Sequence, residues 1–124
     1  MNYSEMSDFE INKLVAEALG LNVADEQYLH YGDRDERVVL ISATSAHDTG
    51  VDYCNNPSDA WPIILENGIA TAPVADSKWM AQFTRKLEGP FSSGDVHYYF
   101  VEEKRKSPLR AAMIVYLMMN EAKS

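Results

Sequence analysis

The feature that most constrains this chain is the stretch SPLRAAMIVYLMM at residues 107–119. Ser107 can cap a helix, and Pro108 suits its first position, where a missing N–H needs no partner. Residues 111–119 carry no charge. Arg110 and Glu121 fall on the same side of a helix, but the residues between them on that side are apolar. A helix with one wet face would show a continuous polar stripe. Since the run is also shorter than the roughly 20 residues that span a bilayer, it predicts a helix buried nearly all round in a soluble core.

Length and charge fit one soluble domain. With 124 residues the chain can bury a substantial core, and we expect a single domain over residues 1–124. The net charge is −8, and residues 1–62 hold twelve acidic and three basic side chains, against seven and eight in the remainder. An acidic chain repels phosphates, so general nucleic-acid binding is not expected. The sole cysteine, Cys54, and an N-terminus without a signal-peptide pattern fit a reducing cytoplasm.

The first helix has a well-marked start and stop. Ser7 and Glu10 form a capping box, in which each side chain can satisfy the other residue's backbone N–H. An apolar face with helical spacing follows, and Gly20 is a natural stop. The residues of that face are Ile11, Leu14, Val15, Ala18 and Leu19. The polar residues of the same segment are predicted to face water: Asn12, Lys13 and Glu17.

Strands are predicted on both sides of a second helix. Residues 27–31 and 37–43 are predicted to form two strands, followed by a polar loop at residues 44–50. Residues 79–84 and 96–103 alternate in side-chain character and predict a hairpin. Both faces of residues 96–103 are apolar or aromatic, which is typical of a central strand.

Pro62 decides where the second helix begins. A cap at Asn56 would place Pro62 in the helix interior, at a cost of about 3 kcal/mol. A cap at Ser58 or Asp59 keeps Pro62 in or next to the first turn, so the prediction is a helix over residues 59–67. Its inward residues are predicted to be Ala60, Ile63, Ile64 and, as an open alternative, Trp61.

These elements together predict an α+β fold. Gly68 ends the second helix, residues 69–71 can form a short strand, and Pro73 stops it. The predicted architecture is three helices around an antiparallel sheet of about four strands, in the order α-β-β-α-β-β-α.

No motif in the chain carries enzyme or metal chemistry. His47, Asp52 and Cys54 could converge in space, but no C-x-x-C, H-x-x-x-H or H-E-x-x-H spacing occurs. There is no G-x-S-x-G or P-loop, and Cys54 lacks a nucleophile signature. We therefore expect no metal, no cofactor and no catalytic residue. A small enzyme with a site near Cys54 and Trp61 is kept as an alternative.

Two segments are candidates for binding. Lys104, Arg105 and Lys106 precede the N-terminus of the third helix, an arrangement that can hold an anion such as phosphate. A solvated turn explains the same run and is favoured, so weak nucleic-acid or phosphate binding is the alternative. In the other segment, Asn55, Asn56 and Asp59 could recognise polar groups beside the aromatic Trp61. These side chains can equally cap and turn their own backbone, and that interpretation is favoured.

Three ordered stretches resemble a known family. They are YSEMSDFEINKLVAEALG at 3–20, VDYCNNPSDAWPIILENGI at 51–69 and SPLRAAMIVYLMMNEA at 107–122. They resemble the NinX-like family of small proteins from lambdoid phages and prophages. The resemblance implies a phage accessory protein made in the cytoplasm of the bacterial host, and it carries over no catalytic residue. The order of the helices also resembles small phage domains with an α/β/α sandwich.

The residues and the resemblance favour a non-enzymatic accessory protein that binds a host or phage protein, without membrane association. A clustered basic surface would favour the nucleic-acid alternative, and a deep pocket with convergent polar groups would favour the enzyme. The oligomeric state is left open.

Overall fold

The computed structural model describes residues 2–23, 39–42, 48–74, 78–86, 95–103 and 106–122. This part of the chain begins with a 3₁₀ turn at Tyr3–Glu5. The helices are α1 (Asp8–Ala18), α2 (Pro57–Asn67) and α3 (Pro108–Ala122). The strands are β1 (Val39–Ser42), β2 (Asp48–Val51), β3 (Ala70–Val74), β4 (Lys78–Lys86) and β5 (Asp95–Glu103). Their order confirms the predicted α+β fold, including the short strand after α2.

Helix α3 lies at the centre of the core, as its uncharged run predicts. Every side chain from Arg110 to Leu117 is buried, and so is Met119. Ser107 caps the helix, because its Oγ accepts a hydrogen bond from the backbone N–H of Leu109 at 3.0 Å. Contacts with β3, β4 and β5 and with α1 and α2 surround it. Burial on all sides explains why no polar stripe runs along this helix.

Helix α1 begins and ends where the sequence predicts. Ser7 Oγ accepts a hydrogen bond from the backbone N–H of Glu10 at 3.1 Å, which is the cap half of the predicted box. At the other end, Gly20 takes a left-handed backbone angle, φ +79°. The N–H of Leu21 then bonds the carbonyl of Ala16 at 3.0 Å and closes the helix.

Helix α2 begins earlier than predicted. Asn56 is its cap, accepting a hydrogen bond from the backbone N–H of Ser58 at 3.0 Å, and Pro57 takes the favoured first position. Pro62 therefore lies inside the helix, contrary to the prediction. The N–H that Pro62 lacks would have bonded the carbonyl of Ser58, and water can satisfy that carbonyl because both residues are exposed. Gly68 ends the helix in a left-handed conformation, as predicted.

Strands β1 and β2 pair with each other in an antiparallel arrangement. β1 falls within the predicted strand at 37–43, but β2 occupies part of the segment 44–50 that was predicted to be a loop. Val39 pairs with Val51, and both side chains are buried. Pairing with the apolar strand β1 thus makes a polar stretch part of the sheet. This is an effect of tertiary context that local composition does not reveal. The strand predicted at 27–31 lies outside the described residues.

Strands β3, β4 and β5 form a second antiparallel sheet with β4 in the middle. Pro73 pairs with Trp79 inside this sheet, so it does not stop β3 as predicted. An outer strand tolerates proline, because the position of the missing N–H can face away from the neighbouring strand. β5 was predicted to be a central strand, but it lies at the other end of the described sheet. Its Tyr99 and Val101 are exposed.

The described elements stack differently from an α/β/α sandwich. One face of the larger sheet, with Ala81, Phe83 and Phe100, packs into the core against α3. Helices α1 and α2 contact α3 as well. The opposite face carries the exposed Tyr99 and Val101, so the described helices lie on one side of this sheet. None of these helices is long and apolar enough to cross a membrane.

Candidate functional site

Asn12 is completely buried, although the sequence predicts that it faces water. Its Nδ2 donates to Asp52 Oδ1 at 2.9 Å, and its Oδ1 accepts from the backbone N–H of Cys54 at 3.0 Å. The buried arc of α1 is rotated from the predicted one because the segment between β2 and α2 packs on the side of Asn12. That arc consists of Ile11, Asn12, Val15 and Ala16.

Arg110 is the second buried polar residue, with 1% of its surface exposed. Its Nη1 lies 3.0 Å from Asp8 Oδ1 in an ion pair. Its Nη2 donates to the carbonyl of Tyr3 at 3.0 Å and to that of Met6 at 2.7 Å. A buried cation is tolerated only when it is paired and hydrogen-bonded, and Arg110 meets both conditions at the start of α1.

Asn55 joins these two groups. Its Nδ2 lies 3.0 Å from Asp8 Oδ2 and 3.1 Å from Asp52 Oδ1. We call Asp8, Asn12, Asp52, Asn55 and Arg110 the polar network. It connects α1, the segment between β2 and α2, and α3. Within the described residues no buried side-chain nitrogen or oxygen lacks a hydrogen-bond partner.

Cys54 packs against this network, and its thiol is buried. The residue is fully buried, and its Sγ lies 3.9 Å from the carbonyl oxygen of Asp8. Burial raises the pKa of the Cys54 thiol, and the negative charge of Asp8 raises it further. Since the thiolate is the nucleophile, a buried thiol with a raised pKa is unreactive. The alternative of a small enzyme with a site near Cys54 and Trp61 stays a prediction.

Two other predicted binding residues serve their own backbone. Asn56 caps α2, and Asp59 Oδ2 accepts a hydrogen bond from the N–H of Asp52 at 3.0 Å. These are the contacts of the turn-and-cap interpretation. Whether Asn55, Asn56 and Asp59 also bind a ligand stays a prediction.

Trp61 points to solvent, contrary to the alternative that placed it inward. It is 52% exposed, and Leu65, one turn further along α2, is 62% exposed. Pro62 between them is also exposed. Residues four apart lie on one helix face, so the three form a continuous apolar surface. We call Trp61, Pro62 and Leu65 the α2 patch.

A family model described as bacteriophage P22 NinX matches residues 2–120. The chain belongs to the NinX family. The match spans the polar network and the α2 patch and confirms the resemblance seen in the three stretches. This NinX-family chain is accordingly a phage accessory protein. Among curated proteins none matches it.

The basic run of this NinX-family chain lies only partly within the described residues. Lys104 and Arg105 lie outside them. Lys106 Nζ donates to the carbonyl of Ser4 at 3.4 Å. Binding of nucleic acid or phosphate by the three residues therefore stays a prediction.

Metal ligands do not converge in the part of the chain that the structure describes, where no group of three or more His, Cys, Asp or Glu residues is placed to hold an ion. Asp52 Oδ1 accepts from Asn12 within the network, Cys54 is buried against it, and His47 lies outside the described residues. His97 Nε2 lies 3.2 Å from Gln82 Oε1 on the exposed sheet face.

Sequence reasoning missed Asn12 and Arg110 as the centres of the network, although one signal was available. The stretch at residues 107–119 was predicted to be buried all round, and Arg110 is its single charged residue. A buried charge requires a partner, so Arg110 should have one. Asp8, in the first turn of α1, was a candidate for that partner. Asn12 carried no comparable signal, because an asparagine inside a helix usually faces solvent.

Proposed function

We propose that this NinX-family protein acts in the cytoplasm of the bacterial host by binding a host or phage protein through the α2 patch. The observation that carries the proposal is the exposure of Trp61 and Leu65 side by side on one helix. Tryptophan is enriched among the residues that dominate protein–protein binding energy. The net charge of −8 also favours a protein partner over a nucleic acid.

The α2 patch is held rigidly. Ile63 and Ile64, on the opposite face of α2, are buried in the core. Asn56 caps the start of the helix, and Asn67 Nδ2 donates to the carbonyl of Ile63 at 2.8 Å near its end. A surface that is already ordered loses little conformational entropy when a partner covers it.

The energy available from Trp61 is large for one residue. A tryptophan side chain presents roughly 150–250 Å² of surface, so covering an exposed half buries about 100 Å². At about 25 cal/mol per Å² this contributes roughly 2.5 kcal/mol to binding. Truncation of Trp61 should therefore weaken partner binding by a factor of about 70.

Affinity capture with matched variants tests the proposal. The tagged protein is used to capture partners from bacteria infected with a phage that encodes a protein of this family. The double variant Trp61→Ser, Leu65→Ser removes the α2 patch, and Tyr99→Ser removes an exposed aromatic residue of the sheet face as the control. We expect a partner that the wild-type and Tyr99→Ser proteins retain and the double variant loses. Equal retention by the double variant would exclude the patch, and absence of any specifically retained protein would contradict protein binding.

Fluorescence then measures the interaction directly. The variant Trp79→Phe leaves Trp61 as the sole tryptophan of the chain. When a captured partner covers Trp61, its emission should shift to shorter wavelength because the indole leaves water. An unchanged emission spectrum at saturating partner would show that the partner binds elsewhere.

A further inference from the structure

A groove separates the C-terminal halves of α1 and α3. Its volume is about 280 Å³. Leu14 and Ala18 of α1 and Leu117 of α3 provide apolar walls, and Tyr3 closes one side. We call it the α1–α3 groove. Ligand pockets usually measure about 300–1,000 Å³, so this groove accommodates one or two side chains better than a whole drug-sized molecule.

The charged residues of the groove all have the same sign. Glu17 of α1 and Glu121 of α3 line it and are both exposed. Of the described residues that line the groove, none is basic. Lys13 lies one turn before Glu17 on α1 but is not a lining residue. The groove thus combines apolar walls with two carboxylates from separate helices, inside a chain of net charge −8.

Tyr3 lies beside one of these carboxylates. Burial, followed by the proximity of the Glu121 side chain, raises the pKa of Tyr3. The phenol therefore stays protonated and uncharged. A carboxylate has about four acceptor positions, so Glu121 can bind a cation beside the neutral Tyr3.

We infer that the α1–α3 groove receives an arginine side chain from a basic segment of the protein partner. The methylene stem of arginine packs on apolar surface while its charged head stays at the rim, which matches apolar walls flanked by carboxylates. The planar guanidinium presents five donors and can bond both Glu17 and Glu121. The inference rests on the proposed function, since a protein partner supplies the arginine.

Titration with a small probe, followed by amide NMR shifts of the ¹⁵N-labelled full chain, tests the groove. The probe is N-acetylarginine amide, and its matched control is the neutral isostere N-acetylcitrulline amide. We expect the arginine probe to shift the amides of Leu14, Ala18 and Glu121 with millimolar affinity, and the citrulline probe to leave them in place. Equal shifts with both probes, or no groove shift at about 20 mM of the arginine probe, would overturn the inference.

Charge variants locate the site. The double variant Glu17→Gln, Glu121→Gln should weaken probe binding about tenfold, since each exposed ion pair contributes modestly. Glu121→Gln keeps the size and shape of the side chain, so the groove wall is preserved. Glu66→Gln on α2 removes an exposed charge elsewhere and should leave probe affinity unchanged. Equal weakening by Glu66→Gln would show that the probe responds only to the overall charge.

The two proposals fail separately. The Trp61→Ser, Leu65→Ser variant should bind the arginine probe as the wild-type protein does. Loss of partner capture in that variant, together with no probe binding to the wild-type protein, would contradict the groove and leave the α2 patch. Probe binding that depends on Glu17 and Glu121, with partner capture unchanged in the patch variant, would support the groove and contradict the patch.

Discussion

Helices α1 and α3 approach each other at two meeting points, and the charged residues at these two points are arranged in opposite ways. At the first, Asp8 and Arg110 form an ion pair at 3.0 Å, with the guanidinium buried. At the second, Glu17 and Glu121 line an open groove without a basic residue among its described lining. The first point neutralises its charge inside the chain, whereas the second leaves both carboxylates exposed.

The difference implies that one set of charged residues on these helices determines stability, while another set can be changed without affecting it. Charges inside the polar network are desolvated, and removing one leaves the others unpaired at high cost. Charges at the groove are hydrated, and removing them changes the free energy of unfolding little. Mutations at the two points should therefore divide into those that change stability and those that change recognition.

The largest effect is expected for Arg110→Leu. This change leaves Asp8 without its cation and removes the side-chain donor to the carbonyls of Tyr3 and Met6, so it should lower the free energy of unfolding by about 3–5 kcal/mol. Urea titration monitored by circular dichroism measures the change. An unfolding midpoint equal to that of the wild-type protein would show that Arg110 does not hold the two helices together.

Asn12→Ala should rank next. It removes the donor to Asp52 and the acceptor for the N–H of Cys54, and unsatisfied buried groups cost about 1–3 kcal/mol. A residue facing water would change stability by less than about 0.5 kcal/mol, which is the sequence-based expectation. The same urea titration, with Glu17→Ala as the exposed control on α1, decides between the two values.

Ser7→Ala tests the helix start that positions Asp8. Loss of the hydrogen bond to the N–H of Glu10 should cost about 0.5–2 kcal/mol, while Ser7→Asp, which keeps a capping oxygen, should cost little. Thermal unfolding of both variants provides the comparison. If the Asp variant is as unstable as the Ala variant, the cap contributes nothing and the Asp8–Arg110 contact alone fixes this end of α1.

The smallest effect on stability is expected at the groove. The double variant Glu17→Gln, Glu121→Gln should change the free energy of unfolding by less than about 0.5 kcal/mol, because both side chains are exposed. Its urea midpoint should match that of the wild-type protein, although its probe affinity falls. A loss of several kcal/mol would mean that the groove carboxylates are structural and would remove the contrast between the two meeting points.

Local signals in the sequence predicted the helices well. The uncharged run of α3 indicated burial on all sides, and the cap at Ser7 and the stops at Gly20 and Gly68 appear where predicted. These signals are reliable because they depend on backbone hydrogen bonds and left-handed angles within a few residues.

Features that depend on distant neighbours could not be predicted in the same way. Asn12 is buried because residues about forty positions later pack on it. β2 is a strand because of its partner β1, and Pro62 is tolerated because solvent reaches the adjacent carbonyl. Trp61 is exposed because Ala60, Ile63 and Ile64 form the buried face of α2. The sequence alone does not reveal these tertiary choices.

The basic run stays a prediction of its own. If Lys104, Arg105 and Lys106 bound nucleic acid, affinity would fall with salt at a log–log slope of about −3, for three or four phosphate contacts. We expect little retention on heparin near physiological salt, about 150 mM, because the chain is acidic. Micromolar binding there that is lost when all three become Gln would make this a nucleic-acid protein.

The contacts of Arg110 also determine when the core can form during synthesis. Its partners Asp8, Tyr3 and Met6 leave the ribosome more than a hundred residues earlier. Contacts so far apart in the chain form slowly, and until α3 emerges the faces of α1, α2 and the larger sheet that it covers have no core to pack on. The nascent chain therefore exposes these apolar faces until α3 has left the ribosome, and chaperone contact with them should end when α3 packs.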